Sequence, residues 1–130
     1  MRIIQGFDEK ALYLIAKESG SKQLKDDVKY MRLPDRKGIQ VAAERLDDVA
    51  FWIGYHNKDH LRLVGIGVKR DQQNKRYGRF MLKRAIEYAK AQGFNKVRTR
   101  TLNGVDFYQK WGGAKIVGYK GNDYIMEIDV

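Results

Sequence analysis

The stretch Leu63-Val64-Gly65-Ile66-Gly67-Val68 runs straight into Lys69-Arg70-Asp71-Gln72-Gln73-Asn74-Lys75-Arg76-Tyr77-Gly78-Arg79, and this junction decides how the chain is read. The first six residues predict a strand. Two glycines inside it lower strand propensity, so a bulge or a close approach to the backbone is expected there. A crowded packing site that needs room accounts for the glycines equally well. Past the strand comes a basic loop and then a helix over residues 76–92. Tyr77, Met81, Leu82, Ala85, Ile86 and Ala89 recur at helical spacing, and Gly93 stands where a C-terminal cap falls. Between positions 69 and 84 there are seven Lys or Arg and one Asp. A helix N-terminus already offers unpaired N–H groups and about half a positive charge, so this junction suits a pyrophosphate or a nucleic-acid backbone.

Working outward, residues 1–4 read as a short strand. Asp8 is the expected N-cap of a helix whose apolar positions Ala11, Leu12, Leu14 and Ile15 stop at Ser19-Gly20. Leu24, Val28 and Met31 predict a second helix over residues 21–31, ended by Pro34. Residues 39–43, 49–55 and 61–68 read as three strands in hairpin succession. Beyond the long helix, residues 96–101 alternate like a strand and residues 105–111 suit a short helix. Residues 115–119 and 124–128 make two last strands around Gly121-Asn122-Asp123. The order β-α-α-β-β-β-α-β-α-β-β has neither repeat nor linker. It predicts one mixed α/β (α+β) domain over residues 1–130, with a mostly antiparallel sheet flanked by helices.

Composition narrows the classes of function. The 130 residues hold 26 Lys plus Arg against 16 Asp plus Glu, a net +10, and 43% are hydrophobic, enough to build a core. There is no Cys, which excludes a disulfide framework, a thiolate nucleophile and cysteine-ligated zinc. Two His alone argue against a catalytic metal, so none is expected. No apolar run reaches the length of a membrane span, and Asp8, Glu9, Lys10, Lys17 and Glu18 interrupt the first twenty residues. Neither span nor signal peptide is expected, and the expected compartment is the cytoplasm. Residues 1–65 carry a net +2 and residues 66–130 a net +8, so an anion should meet the second half. Nucleic acid, an acidic substrate and a phosphorylated cofactor all satisfy that condition.

The motif Gln73-Asn74-Lys75-Arg76-Tyr77-Gly78 resembles the Q/R-x-x-G-x-G/A signature of the GNAT superfamily of N-acetyltransferases, with Arg76 where the first Gly usually stands. Phe107-Tyr108-Gln109-Lys110-Trp111-Gly112-Gly113 resembles that superfamily's F-Y-x-K-x-G-F segment, with Gly113 in place of the last Phe and Trp111 expected to fill part of its volume. The order of elements agrees over most of the chain. The resemblance implies acetyl-CoA as co-substrate, with its pantetheine arm on the backbone of Ile66 and Val68. Its pyrophosphate would lie in the loop opened by Gln73, on the amides of Asn74, Lys75, Arg76, Tyr77, Gly78 and Arg79. Asn103 matches a cofactor-contacting Asn of the family, but only five positions separate it from Tyr108 where seven are usual, and turn chemistry with Gly104 explains it equally. Arg76 has two readings. In a left-handed conformation it stores strain of about 1–3 kcal/mol; in an ordinary helical one it adds a charged hydrogen bond to a phosphate, which the basic surroundings favour.

Acetyl transfer to an amine needs a deprotonated amine, a stabilised oxyanion and a proton for the departing thiolate. The resemblance assigns the proton donor to Tyr108 and the oxyanion donor to the Val68 N–H. Where some members place a basic Glu near the start of the fourth strand, this chain has Arg62. Glu44, His56, Asp59 and His60 lie in neighbouring segments as other relays, and a water chain is a further route. If Arg62 faces the acceptor it favours one bearing a carboxylate or phosphate. The implied function is an acetyl-CoA-dependent N-acetyltransferase acting on a primary amine of a small-molecule or protein acceptor. Two other classes stay open: a non-catalytic acyl-CoA-binding module, motivated by the missing Glu and by Arg76, and a basic nucleic-acid-binding domain. Only about thirty residues separate the first two strands, a region that shapes the acceptor pocket in related proteins. The last strand suits pairing within the subunit or across a two-fold axis, so monomer and homodimer are both open.

Overall fold

Side-chain caps at residues 8 and 21 start the first helical layer in the computed structural model, which describes residues 1–130. After strand β1 (Ile3–Gln5), the Asp8 carboxylate accepts from the Ala11 N–H at 3.1 Å and opens helix α1 (Glu9–Ser19), which closes on Gly20 at φ 83°. The Ser21 hydroxyl accepts from the Leu24 N–H at 3.1 Å and opens α2 (Lys22–Tyr30). Pro34 does not simply stop this helix. After a break at Met31 the chain makes one more short helix, α3 (Arg32–Arg36), with Pro34 in its first turn, where a missing N–H removes no helical bond.

Three hairpin-connected strands follow: β2 (Val41–Leu46), β3 (Ala50–Asn57) and β4 (His60–Val68). β2 lies later than the expected residues 39–43. Glu44 and Arg45 break the apolar run, but Glu44 is buried against Trp52 and Arg84, so tertiary pairing carries the strand past the end of its hydrophobic pattern. A 3₁₀ turn at Arg70–Gln72 leads to α4 (Tyr77–Ala91), β5 (Lys96–Thr101), α5 (Val105–Gly112), β6 (Lys115–Lys120) and β7 (Asp123–Asp129). All seven strands form one sheet in the order β1-β2-β3-β4-β5-β7-β6, antiparallel throughout except for β4 and β5. β7 lies between β5 and β6, so the last strand pairs within its own chain. A core of 15 buried residues, Trp52, Leu63 and Leu82 among them, lies on the α4 and α5 face, and one of nine, including Leu12, Leu24 and Phe51, on the α1 and α2 face. No helix is long and apolar enough to cross a membrane.

The irregularity that positions the site is in β4. Ile53 pairs with Gly65 but Gly54 with Leu63, which leaves Val64 as an extra, bulged residue. The bulge reverses the alternation of faces. Leu61 and Leu63 pack on the α4 side before it, and Ile66 and Val68 do so after it, so Gly65 and Gly67 turn towards α2. A Cβ on Gly67 would lie 2.5 Å from both Leu24 and Phe51, and one on Gly65 would lie 3.0 Å from Leu24. Both readings of these glycines therefore hold together: the strand is bulged, and its glycines admit α2 close against it.

Candidate functional site

Beyond the bulge, β4 parts from β5. Their parallel pairing runs from His60 and Lys96 to Leu63 and Thr99 and ends there, while β4 continues to Val68. On the other edge, the Lys69 N–H donates to the Val49 carbonyl at 2.9 Å, which makes Ala50 and Val68, and by alternation Trp52 and Ile66, opposed pairs that exchange no hydrogen bonds. The N–H groups of Ile66 and Val68 are thereby aimed away from β3, into the gap that β5 leaves. The Val68 carbonyl accepts from the Gln73 side-chain amide at 3.0 Å, and the same nitrogen reaches the Ser19 carbonyl at 3.3 Å. Gln73 thus ties the basic loop to the strand end and to the end of α1.

Helix α4 starts at the mouth of this gap. Its first N–H with a partner is that of Phe80, donating to the Arg76 carbonyl at 3.0 Å; the amides of Asn74, Lys75, Arg76, Tyr77, Gly78 and Arg79 donate to no group in the chain. They form a cluster of free donors at the positive end of a helix of 15 residues. Arg76 does not take the ordinary helical conformation that the surrounding charge favoured. It sits at φ 69°, ψ 11°, the left-handed turn that a glycine supplies most easily, at a cost of about 1–2 kcal/mol. Asn74 is also left-handed at φ 65°, and the two residues together curl the loop from Gln73 into the helix. Gly78 keeps the surface open: a Cβ there would only reach ordinary contact, 3.8 Å, with Phe107 and Val68. Trp111 does not fill the volume of the missing Phe. It is 40% exposed, with the Arg79 guanidinium 4.0 Å from its ring centre. Gly113 instead provides the left-handed cap of α5 at φ 65°.

A cleft of about 1030 Å³ runs between α2 and β4 on one wall and the β5–α5 connection on the other. Of the residues singled out from the sequence, Ile66, Val68, Gln73, Gly78, Asn103 and Tyr108 line it. Asn74, Lys75, Arg76, Tyr77 and Arg79 do not line it; they flank it between Gln73 and Gly78 or just beyond, with the Tyr77 side chain packed on the α4-side core. Tyr108 is 9% exposed. Burial pushes its hydroxyl up from the ordinary value, the neighbouring Thr99 hydroxyl pulls it down, and the charge of Asp27 adds to the rise. A phenol in this setting stays protonated near neutrality and suits a proton donor.

The four relays considered for the base are elsewhere. Glu44 is held by Arg84 at 2.7 Å and by Trp52 at 3.0 Å on the α4 face. His56 bonds the Tyr88 hydroxyl at 2.6 Å, and burial lowers its affinity for a proton. Asp59 and His60 pair with each other at 3.1 Å, with Asp59 exposed at the β3–β4 turn. None of the four lines the cleft. Two carboxylates do line it: Asp123, which Arg100 holds at 2.6 Å, and Asp27 on the α2 wall. Burial pushes its carboxyl up, against a 2.9 Å hydrogen bond from the Gln23 amide, with Asp26 raising it and Arg62 lowering it. In the sequence Asp27 is one of two adjacent acids on an amphipathic helix; only the packing of α2 over Gly65 and Gly67 brings it to the cleft.

The profile of the acetyltransferase (GNAT) family matches residues 10–113. Comparison with curated proteins returns no significant match. Among solved structures, the fold is similar to that of the PaiA N-acetyltransferase of Thermoplasma acidophilum in complex with coenzyme A, at TM-score 0.74, 20% identity and 100% of both chains. It is similar as well to the ribosomal-protein-S18-alanine N-acetyltransferase of Escherichia coli, at TM-score 0.75 and 17% identity over 99% of this chain and 93% of that one. A GNAT family acetyltransferase of Elizabethkingia anophelis with acetyl-CoA bound aligns at TM-score 0.67 and 16% identity over 99% and 97%. With four-fifths of its length matched by the family profile, and with the bulged strand, parted sheet and free helix N-terminus in place, the chain belongs to the GNAT acetyltransferase family.

Proposed function

We propose that this protein is an N-acetyltransferase that moves an acetyl group from acetyl-CoA directly to a primary amine. The observation that carries the reading is the convergence of three features on one cleft. These are the outward-aimed N–H groups of Ile66 and Val68 along it, the free amides from Asn74 to Arg79 at its flank, and the hydroxyl of the largely buried Tyr108. Acetyl-CoA supplies a thioester carbonyl. The chain's own groups hold its arm along β4, hold its pyrophosphate at the start of α4, and offer the Val68 N–H to the carbonyl oxygen as it gains charge. As the new C–N bond forms and the C–S bond breaks, Tyr108 gives its proton to the sulfur and regains one from the proton the nitrogen sheds. The acyl-CoA module without chemistry rests on the missing Glu and on Arg76; Asp27 offers a carboxylate in the cleft, and the left-handed Arg76 leaves the amides around it free, so both features are compatible with transfer.

Thermal unfolding with and without millimolar acetyl-CoA, against CoA and a plain polyanion as controls, tests binding. A ligand at 100 times its dissociation constant adds about 2.7 kcal/mol of stability. Tyr108→Phe should leave that rise intact and cut turnover by about 10²–10⁴, measured as thiol release in the presence of an amine. An equal rise with the polyanion alone would favour nucleic acid as the ligand instead. An unchanged rate in the Tyr108→Phe variant would remove the proton-donor role.

A further inference from the structure

The inner end of the cleft carries both signs of charge, and what it binds can be argued further if the acetyltransferase reading stands. Arg62 leaves β4 just before the bulge, opposite Tyr55 of β3, and lines the cleft. Asp27 comes from α2, its Oδ2 3.5 Å from where a Cβ on Gly65 would sit. The two side chains feel each other's charge, yet no nitrogen of Arg62 comes within 4.0 Å of the Asp27 carboxylate. The Arg62 Nε is buried and has no hydrogen-bond partner at all. A second acid–base pair at the rim behaves differently: Arg100 donates to Asp123 at 2.6 Å and is closed on itself. An open pair with an orphaned guanidinium N–H is a site waiting for a ligand that brings an anion to one end and a cation to the other.

We infer that this pocket binds small amines that also carry an anionic group, with Arg62 holding the anion and Asp27 receiving the ammonium and taking its proton. In that step one N–H bond of the ammonium breaks and one O–H bond forms on Asp27, which frees the nitrogen lone pair for attack. The proton returns to water as the product leaves. A simple alkylamine satisfies only Asp27 and leaves Arg62 without its partner. A diamine places a second positive charge against Arg62, and the other acid of the cleft, Asp123, is already engaged.

Calorimetric titration of the CoA-saturated protein with β-alanine, γ-aminobutyrate and phosphoethanolamine, each against ethylamine, measures this without turnover. At least one anionic amine should bind about tenfold or more tighter than ethylamine, and the carboxylate and phosphate arms tell which anion is preferred. Arg62→Gln should bring the ratio close to one, and Arg62→Lys should restore part of it. Asp27→Asn should cut kcat by about 10²–10³ while CoA affinity holds. The groups facing Asp27 are Asp26 and Gln23 from its own helix, Arg62 from β4 and Tyr108 from α5. Asp27 must be ionised to accept a proton, so kcat/KM should rise with pH through its elevated pKa, and the Asn variant should lose that limb. Equal binding of ethylamine, binding of none of the three anionic probes, or an undiminished ratio in Arg62→Gln would overturn the proposal with CoA binding intact. Failure of the protein to bind CoA or acetyl-CoA would instead remove the acetyltransferase reading and this one with it.

Discussion

Glu44 and Asp27 are both carboxylates drawn out of water near an arginine, on opposite faces of one sheet, and the chain treats them in opposite ways. Glu44, 2% exposed, accepts from Arg84 on both oxygens, from the Trp52 indole and from the Gln5 amide. Burial pushes its carboxyl up, but those four donors together hold it below the usual range. Asp27 has a single donor, Gln23, and burial wins: its carboxyl is raised. Donor count, more than depth, separates the two. A carboxylate with every lone pair engaged is a fastener between α4 and β2, while one left short of donors keeps the capacity to take a proton.

The most forceful way to break this comparison is to remove the fastener. Glu44→Ala strands the Trp52 N–H and leaves Arg84 without its main counter-charge, and should cost on the order of 3 kcal/mol by chemical denaturation. The sign with pH follows from the lowered pKa. The contribution of Glu44 is fully present above its ordinary value of 4.5 and fades as pH falls through its depressed native value. The gap between wild type and variant should therefore be widest near neutrality and close in acid. A gap that stays constant with pH would mean that Glu44 acts through packing alone.

The same comparison explains what could be read from the chain beforehand. The α4 junction was legible because its signals are local: a glycine-containing strand, a basic loop, a periodic helix and Gly93 all lie within about thirty residues. The caps at Asp8 and Ser21 are local as well. The end of β2 is not legible because residues 44–46 pair with both β1 and β3 while the Glu44 carboxylate is held by Arg84, 40 residues away in sequence, and periodicity sees neither. Asp27 is hidden for the same reason: its place in the cleft depends on α2 lying over Gly65 and Gly67, a contact between segments about forty residues apart. Arg76 failed differently. Charge favoured a helical conformation, but the turn from Gln73 into α4 fixes the backbone first, and the side chain accepts the strain.

Arg76 gives a smaller test of whether strain concentrates around the cleft. Arg76→Gly relieves the left-handed backbone, worth about 1–2 kcal/mol, and loses about 0.5–1 kcal/mol to the greater freedom of glycine when unfolded. The expected net gain is about 0.5–1 kcal/mol of unfolding free energy, read as a higher denaturant midpoint at unchanged m. Loss of stability would mean that the Arg76 side chain, exposed as it is, contributes more than the turn costs.

The smallest expected effect on stability discriminates best, because it has the opposite sign to that of Glu44. The raised pKa of Asp27 means that the folded state binds its proton more tightly than the unfolded chain does. Stability therefore falls as pH rises from the ordinary value of 3.8 through the elevated native one, and the ionised group is a net burden near neutrality. Asp27→Asn keeps the shape and the contact with Gln23 but removes that burden. It should match or slightly exceed the wild type in melting temperature at pH 7, with the difference vanishing in acid. Paired with the loss of turnover expected for the same variant, a stable but inactive protein would mark Asp27 as a group kept for chemistry at the expense of the fold. A variant that is both inactive and less stable would place Asp27 beside Glu44, as a second fastener, and erase the distinction between the two faces of the sheet.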